Sequence, residues 1–180
     1  MMATEQLLER HDWEGLRERL QVDKSLLSWR DNFGQSIVGR IARHSAAHEL
    51  LRELLAKGAD PNLMDRTGVS PLGAAIDGCH SRDEGALENA LALIGAGADL
   101  RAPVANEYPP LHWAVHEGKA SFVRILLDAG ADPFAMGPYG QNAFEIADEF
   151  QIAAIIELLS THQTNPTVLT ESASTKDRVK

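Results

Sequence analysis

Between Pro110 and Gly130, the apolar residues Leu111, Ala114, Val115, Val123, Leu126 and Leu127 recur at helical spacing, which predicts two short amphipathic helices. Helices of that length do not persist alone. Pro110 suits a first helical turn, where its missing N–H is no loss, and Gly130 reads as the residue that accepts a left-handed conformation and stops the second helix. Asp132-Pro133 then drives the chain into an extended turn, because the residue before a proline is pushed out of the α region. The unit is helix, turn, helix and projecting hairpin loop.

The same pattern returns along the chain. Leu54-Leu55-Ala56-Lys57-Gly58-Ala59-Asp60-Pro61, Leu93-Ile94-Gly95-Ala96-Gly97-Ala98-Asp99-Leu100 and Leu126-Leu127-Asp128-Ala129-Gly130-Ala131-Asp132-Pro133 are near copies, their glycines 39 and 33 residues apart. A second block precedes each: Ser36-Ile37-Val38, Ser70-Pro71-Leu72 and Pro109-Pro110-Leu111-His112-Trp113-Ala114, followed by an unpaired Asn142-Ala143-Phe144. The second unit carries six extra residues, around Gly78 to Gly85, as a lengthened turn or an extended first helix, and Ala86 to Ile94 predicts a longer second helix. Leu7, Leu8, Trp13, Leu16 and Leu20 supply a degenerate first pair of helices, and Phe144, Ile146, Ala147, Ile152, Ile155, Ile156, Leu158 and Leu159 a last one. Thr161 to Lys180 is polar and unperiodic and is expected to be disordered.

These blocks resemble the ankyrin repeat family, with its period of about 33 residues and its Thr-Pro-Leu-His-x-Ala motif. Pro110-Leu111-His112-Trp113-Ala114 is the nearest match, and the resemblance runs from about Leu7 to Leu159. It implies an all-α solenoid in one domain over 1–160. An N-terminal capping repeat (1–30) would precede central repeats at 31–64, 65–102 and 103–136, a C-terminal capping repeat (137–160) would follow them, and a tail (161–180) would end the chain. The motif's histidine is kept only as His112, with Gly39, Gly73 and Glu145 at the matching places, so a weak inter-repeat hydrogen-bond network is expected.

Composition narrows the function. With 180 residues, 44% of them hydrophobic, and a single cysteine, the chain is globular and needs no disulfide. No signal peptide or membrane span is read from the sequence, and a cytoplasmic protein, monomeric when free, is expected. A net charge of −9 disfavours nucleic acid and anionic membranes and allows a basic protein partner.

No catalytic constellation emerges. Cys79 and His80 are adjacent in the insertion, where neighbouring residues rarely face each other as nucleophile and base do. His112 and His116 have the four-residue spacing of a two-histidine metal site, but no third ligand follows, so neither metal nor cofactor is expected. Gly95-Ala96-Gly97 follows a helix instead of preceding one and cannot cradle a phosphate.

The repeat register maps the exposed hairpin tips: Arg30, Met64, Pro103 and Met136; Asn32, Arg66, Ala105 and Pro138; Phe33, Thr67, Asn106 and Tyr139; Gln35, Val69, Tyr108 and Gln141. The Asp31 and Asp65 position becomes Val104 and Gly137 in the later hairpins. A further row, Arg43, Asp77, His116 and Glu149, is expected to form a charge ladder along the concave face. The resulting partner-binding surface is Met64, Arg66, Asp77, Tyr108, His116, Met136, Pro138, Tyr139 and Glu149, with Tyr108 and Tyr139 as exposed anchors. It fits a non-catalytic protein–protein interaction module. Size, charge and fold resemble ankyrin-type immunity proteins, which mask a toxin, while a scaffold or regulatory adaptor is the rival reading; an enzyme or metal protein built on the Cys79 insertion is a lesser one.

Overall fold

In the computed structural model, which describes residues 3–78, 84–104 and 107–163, helices follow one another in pairs. They are α1 (Thr4–Glu9), α2 (Trp13–Val22), α3 (Ile37–Ala42), α4 (His48–Ala56), α5 (Pro71–Asp77), α6 (Glu84–Gly95), α7 (Pro110–His116), α8 (Ala120–Asp128), α9 (Ala143–Glu149) and α10 (Ala153–Gln163). Short 3₁₀ turns at Lys24–Ser28 and Ser45–Ala47 interrupt the connections. The first helices of successive repeats, α3, α5, α7 and α9, pack in an inner row, and α4, α6, α8 and α10 in an outer one. Leu51, Leu72, Ile76, Leu93, Leu111 and Leu126 fill the space between the rows and are fully buried. Among the described residues there is no strand; Arg30 and Ser36 form an isolated bridge at the base of the first hairpin. The array is all-α, as its sequence pattern predicts.

The helix ends explain the repeated blocks. Ser36 and Ser70 accept the amides of Gly39 and Gly73 at 3.1 and 3.0 Å, satisfying donors that the first turn leaves over. Asn142 accepts from Phe144 and Glu145, and the Glu145 carboxylate accepts the Asn142 amide at 2.8 Å, a reciprocal capping box. At the other end, Gly58, Gly97 and Gly130 have φ of 94°, 89° and 91°. The amides of Ala59, Ala98 and Ala131 then donate back to Leu54, Leu93 and Leu126 at 3.0, 2.9 and 2.9 Å.

The insertion does not lengthen the first helix. α5 has seven residues, like α7 and α9, whereas α6 has twelve against nine in α4 and α8. The added turn of α6 packs on the irregular Ser45–Ala47 turn. Gly85 approaches so closely that a Cβ there would lie 2.5 Å from the Ser45 carbonyl oxygen. Buried Asn89 donates to the carbonyls of Ala42 and His44 at 3.0 and 3.1 Å, tying α6 to the preceding repeat. Residues 79–83, with Cys79 and His80, lie outside the described residues. At the C-terminus Thr161 and His162, assigned to the tail from sequence, are still in α10, and His162 contacts the Asp128 carboxylate at 2.9 Å. The rest of the expected tail, 164–180, lies outside the described residues.

Side-chain volume is matched across each repeat interface. His112 is 1% exposed and hydrogen-bonds the Ala135 carbonyl of the next hairpin at 2.9 Å. It fits because Gly137 lies above it, where an added Cβ would meet His112 Cδ2 at 3.0 Å. One repeat earlier the arrangement inverts: Gly73 takes the histidine's place, and an added Cβ would meet Val104 Cα at 2.8 Å. Gly39 is the third case, where an added Cβ would have only Ser36 Oγ nearby, at 3.5 Å. A polar void of about 10 Å³, room for about one water, lies there between Gly39, Gln35, Ser36 and Asp65.

Equivalent glycines should therefore respond oppositely to one methyl group. Gly39→Ala should stabilise by about 0.5–1 kcal/mol, by lowering the entropy lost on helix formation. Gly73→Ala should destabilise by about 1–3 kcal/mol through overpacking. Thermal melts of the two variants give the sign directly.

Acid should weaken the fold before its carboxylates titrate. Burial holds the His112 imidazole below its ordinary 6.5, although the Ala135 and Gln141 carbonyls oppose the shift. Burial also lowers His44, helped by His11, Arg40 and Arg43, and the His11 ring centroid is 4.5 Å away. Both groups bind protons more readily when the chain is unfolded. Stability should be level above about pH 7 and fall as pH drops through the 6.5 of the unfolded side chains toward the lower folded values. Melting temperatures between pH 7.5 and 5.5 would show this, and a temperature that rises on acidification would contradict it.

Candidate functional site

All four hairpins share one backbone register. The amides of Asp31, Asp65, Val104 and Gly137 donate to the carbonyls of Gln35, Val69, Tyr108 and Gln141 at 3.0, 3.1, 2.9 and 2.8 Å. The turn residue is left-handed in each: Gly34, Gly68 and Gly140 in three hairpins, and Glu107, with φ of 65°, in the remaining one. A non-glycine residue there carries a backbone cost on the order of 1 kcal/mol.

The first two hairpins consume their polar side chains internally. Asp31 accepts the amides of Phe33 and Gln35 and pairs with Arg40 at 3.0 Å. Asp65 accepts the amides of Thr67 and Val69 in the same way. Burial alone would raise the Asp65 carboxyl, but these donors, the Thr67 hydroxyl and Gln35 hold it below the usual carboxylate range. Arg66 donates to the Asn32 carbonyl at 2.7 Å, and Arg30 to the Met64 carbonyl at 2.8 Å. Gln35 donates to Asp65, and Asn62 bridges to Gly97 and Asp99. Inter-repeat bonding, expected to be weak from the loss of the motif histidines, is thus carried by hairpin side chains.

The later hairpins present aromatic rings. Tyr108 lies 5.3 Å from Tyr139, 6.0 Å from Trp113 and 5.9 Å from His116, centroid to centroid. His116 stacks on Trp113 at 5.3 Å and 9°, and Phe150 meets it edge-on at 4.9 Å. Tyr139 is 66% exposed and Phe150 48%. Burial, then Tyr139, then Glu149 keep the Tyr108 hydroxyl protonated beyond its ordinary range. Glu149 accepts from Gln141 at 2.7 Å, and Glu117 faces His116 at 3.1 Å.

Of the residues read from sequence as a binding surface, the structure brings Tyr108, His116, Tyr139 and Glu149 together. Met136 and Pro138 stand exposed on the same hairpin as Tyr139. Met64 and Arg66 belong to the second hairpin, where the Met64 carbonyl and the Arg66 side chain are engaged by the first. The expected ladder forms one rung, Arg43 to Asp77 at 3.1 Å. His116 turns instead to Glu117, with its ring held between Trp113 and the edge of Phe150, and Glu149 turns to Gln141. Tyr108 is also not a free tip: it is half-buried and packs against the core. Trp113 and Phe150 were missed. The three-residue spacing of Trp113 and His116 places them on one helix face and was a usable signal; Phe150 follows the end of α9, and no periodicity marks it. The tip positions Ala105 and Asn106 lie outside the described residues.

Among the described residues no three His, Cys, Asp or Glu side chains are placed to hold a metal ion, and no helix is long and apolar enough to cross a membrane.

A family model described as Ankyrin repeats (3 copies) matches residues 38–135, more than half of the chain. The chain is 40% identical over 72 residues to Protein phosphatase 1 regulatory subunit 12A of Mus musculus, a match covering 40% of this chain and 7% of that protein. It is 29% identical over 134 residues to the Transient receptor potential cation channel subfamily A member 1 homolog of Caenorhabditis elegans, covering 74% and 10%. It is 33% identical over 103 residues to the E3 ubiquitin-protein ligase KEG of Arabidopsis thaliana, covering 55% and 6%. The chain therefore spans a tenth or less of the length of these relatives.

The two tyrosines should separate in a stability assay. Tyr139→Ala should leave stability within about 0.5 kcal/mol, as for an exposed surface position. Tyr108→Ala should cost about 1–3 kcal/mol, because it removes a half-buried ring that packs on Trp113. Chemical denaturation of the single variants distinguishes them.

Proposed function

The chain belongs to the ankyrin-repeat family, a family of non-catalytic protein–protein interaction modules, and from that premise we propose that one protein partner docks on its third and fourth hairpins and the adjoining face of α7. The observation that carries the proposal is the cluster of Tyr108, Trp113, His116, Tyr139 and Phe150, two of whose rings are largely exposed. Aromatic residues are enriched in interface cores and dominate binding hot spots. Met136 and Pro138 extend the patch with apolar surface. The solenoid supplies a rigid support for it, since each repeat is held by its neighbours.

Charge supports a basic partner. Between residues 107 and 163 there are eight carboxylates against Lys119 and Arg124. Such a field steers an oppositely charged partner and speeds encounter more than it deepens affinity. Masking a partner's working surface, as an immunity protein does, and regulating it as an adaptor both use this docking mode. A partner enzyme whose activity falls on binding would assign the inhibitory role, and one whose activity persists would assign the adaptor role.

Affinity capture from the source cell, run in parallel with the intact chain and a Tyr139→Ala, Phe150→Ala variant, tests the docking face. The variant should lose its partner, each ring accounting for about 2 kcal/mol as hot-spot residues do, while keeping its melting temperature. Equal recovery by both proteins would move the interface elsewhere.

A further inference from the structure

We propose that the aromatic patch is built to receive an arginine side chain of the partner, its guanidinium lying against the exposed rings of Tyr139 and Phe150 and its N–H groups reaching the Glu149 carboxylate. The inference rests on the docking face proposed above and specifies what that face recognises.

Three observations carry it. The rings form a connected cluster with open faces, Tyr139 and Phe150 being the most exposed. A flat nitrogen-bearing group is already accommodated there, since His116 lies parallel to Trp113 at 5.3 Å. A guanidinium is likewise planar and stacks on aromatic faces, where the ring quadrupole attracts a cation. Carboxylate supply is the second observation. Glu149 is close enough to Tyr108 to act on its hydroxyl and takes a neutral donor, Gln141, at one oxygen. Its exposed carboxylate offers the geometry that guanidinium N–H groups match.

The third observation is how unevenly the charge is balanced. Residues 3–78 hold twelve carboxylates and ten Lys and Arg. There, Arg17, Arg19, Arg40, Arg43 and Arg52 all face carboxylates within 4 Å. Among the described residues of 107–163, no Lys or Arg faces a carboxylate within that distance; Glu117 and Asp128 face histidines instead. Six of the twelve N-terminal carboxylates face an arginine, whereas among the described residues those around the aromatic patch face no lysine or arginine.

The test is a titration of the full chain with N-acetyl-arginine methylamide, followed by 1H–15N NMR at the Trp113 indole and the amides of Tyr139, Glu149 and Phe150. The neutral isostere N-acetyl-citrulline methylamide and the lysine analogue serve as controls. Saturable shifts confined to the patch are expected for the arginine probe, weaker ones for lysine and none for citrulline. Glu149→Gln should weaken arginine binding at least five-fold and Tyr139→Ala should abolish it. Citrulline binding as well as arginine, or shifts scattered over all exposed carboxylates, would overturn the proposal. So would changes at these same resonances on dilution or in Arg178→Gln before any probe is added, since they would assign the patch to a second copy or to the chain's own C-terminal segment. A captured partner that is lost with Tyr139→Ala, Phe150→Ala yet binds Glu149→Gln unchanged would leave the docking face standing and remove the arginine assignment alone.

Discussion

Each repeat of this array must hand its apolar face to a neighbour, and the hairpin of one repeat crosses directly over the first helix of the one before it. That crossing sets how much side chain each interface can hold. At the third interface the volume sits on the helix as His112, and the hairpin yields with Gly137; at the second it sits on the hairpin as Val104, and the helix yields with Gly73. The pairs are read together because interiors pack at near-crystalline density and leave no slack for a second Cβ. At the first interface, by contrast, Gly39 below Asp65 leaves a space. Departures from the family motif therefore exchange volume across an interface and do not merely decay it.

The helices, their order and the hairpin register followed from periodicity, because caps and stops are local chemistry: Ser36, Ser70 and Asn142 accept amides three residues or fewer away, and Gly58, Gly97 and Gly130 stop helices within one turn. Repeat spacing conveyed only some of the partners thirty or more residues distant. Arg66 read as an exposed tip, but it reaches back to Asn32. Asp77 found Arg43, as the repeat spacing suggested, while His116 and Glu149 found neighbours within their own repeats. The His116 ring lies flat on Trp113 and meets the next repeat at the edge of Phe150, while its Nδ1 pairs with Glu117 instead of Glu149.

The insertion shows the same dependence on neighbours. Its extra helical turn would be wasted on a regular array, but the preceding repeat leaves its first helix through Arg43, His44 and a 3₁₀ turn. Asn89 satisfies the carbonyls that this irregular connection leaves pointing inward. A buried carbonyl without a donor costs about 1–3 kcal/mol, so the longer α6 and the irregular turn are best regarded as one feature shared by two repeats.

The two ends of the array also divide their labour. In the first two hairpins an aspartate organises the turn, and arginine, glutamine and asparagine side chains bind one hairpin to the next, so their polar groups are spent on stability. The third and fourth hairpins give up that aspartate for Val104 and Gly137, and the third accepts a left-handed Glu107 where glycine would be free of strain. At that place Tyr139, Met136 and Phe150 stand exposed, and among the described residues no lysine or arginine faces the carboxylates of 107–163 within 4 Å. Strained or under-stabilised positions persist where the surrounding structure compensates for them, and they gather where a surface is used. The regular N-terminal repeats supply that compensation through nearest-neighbour packing, and the docking face proposed for the C-terminal repeats relies on this support.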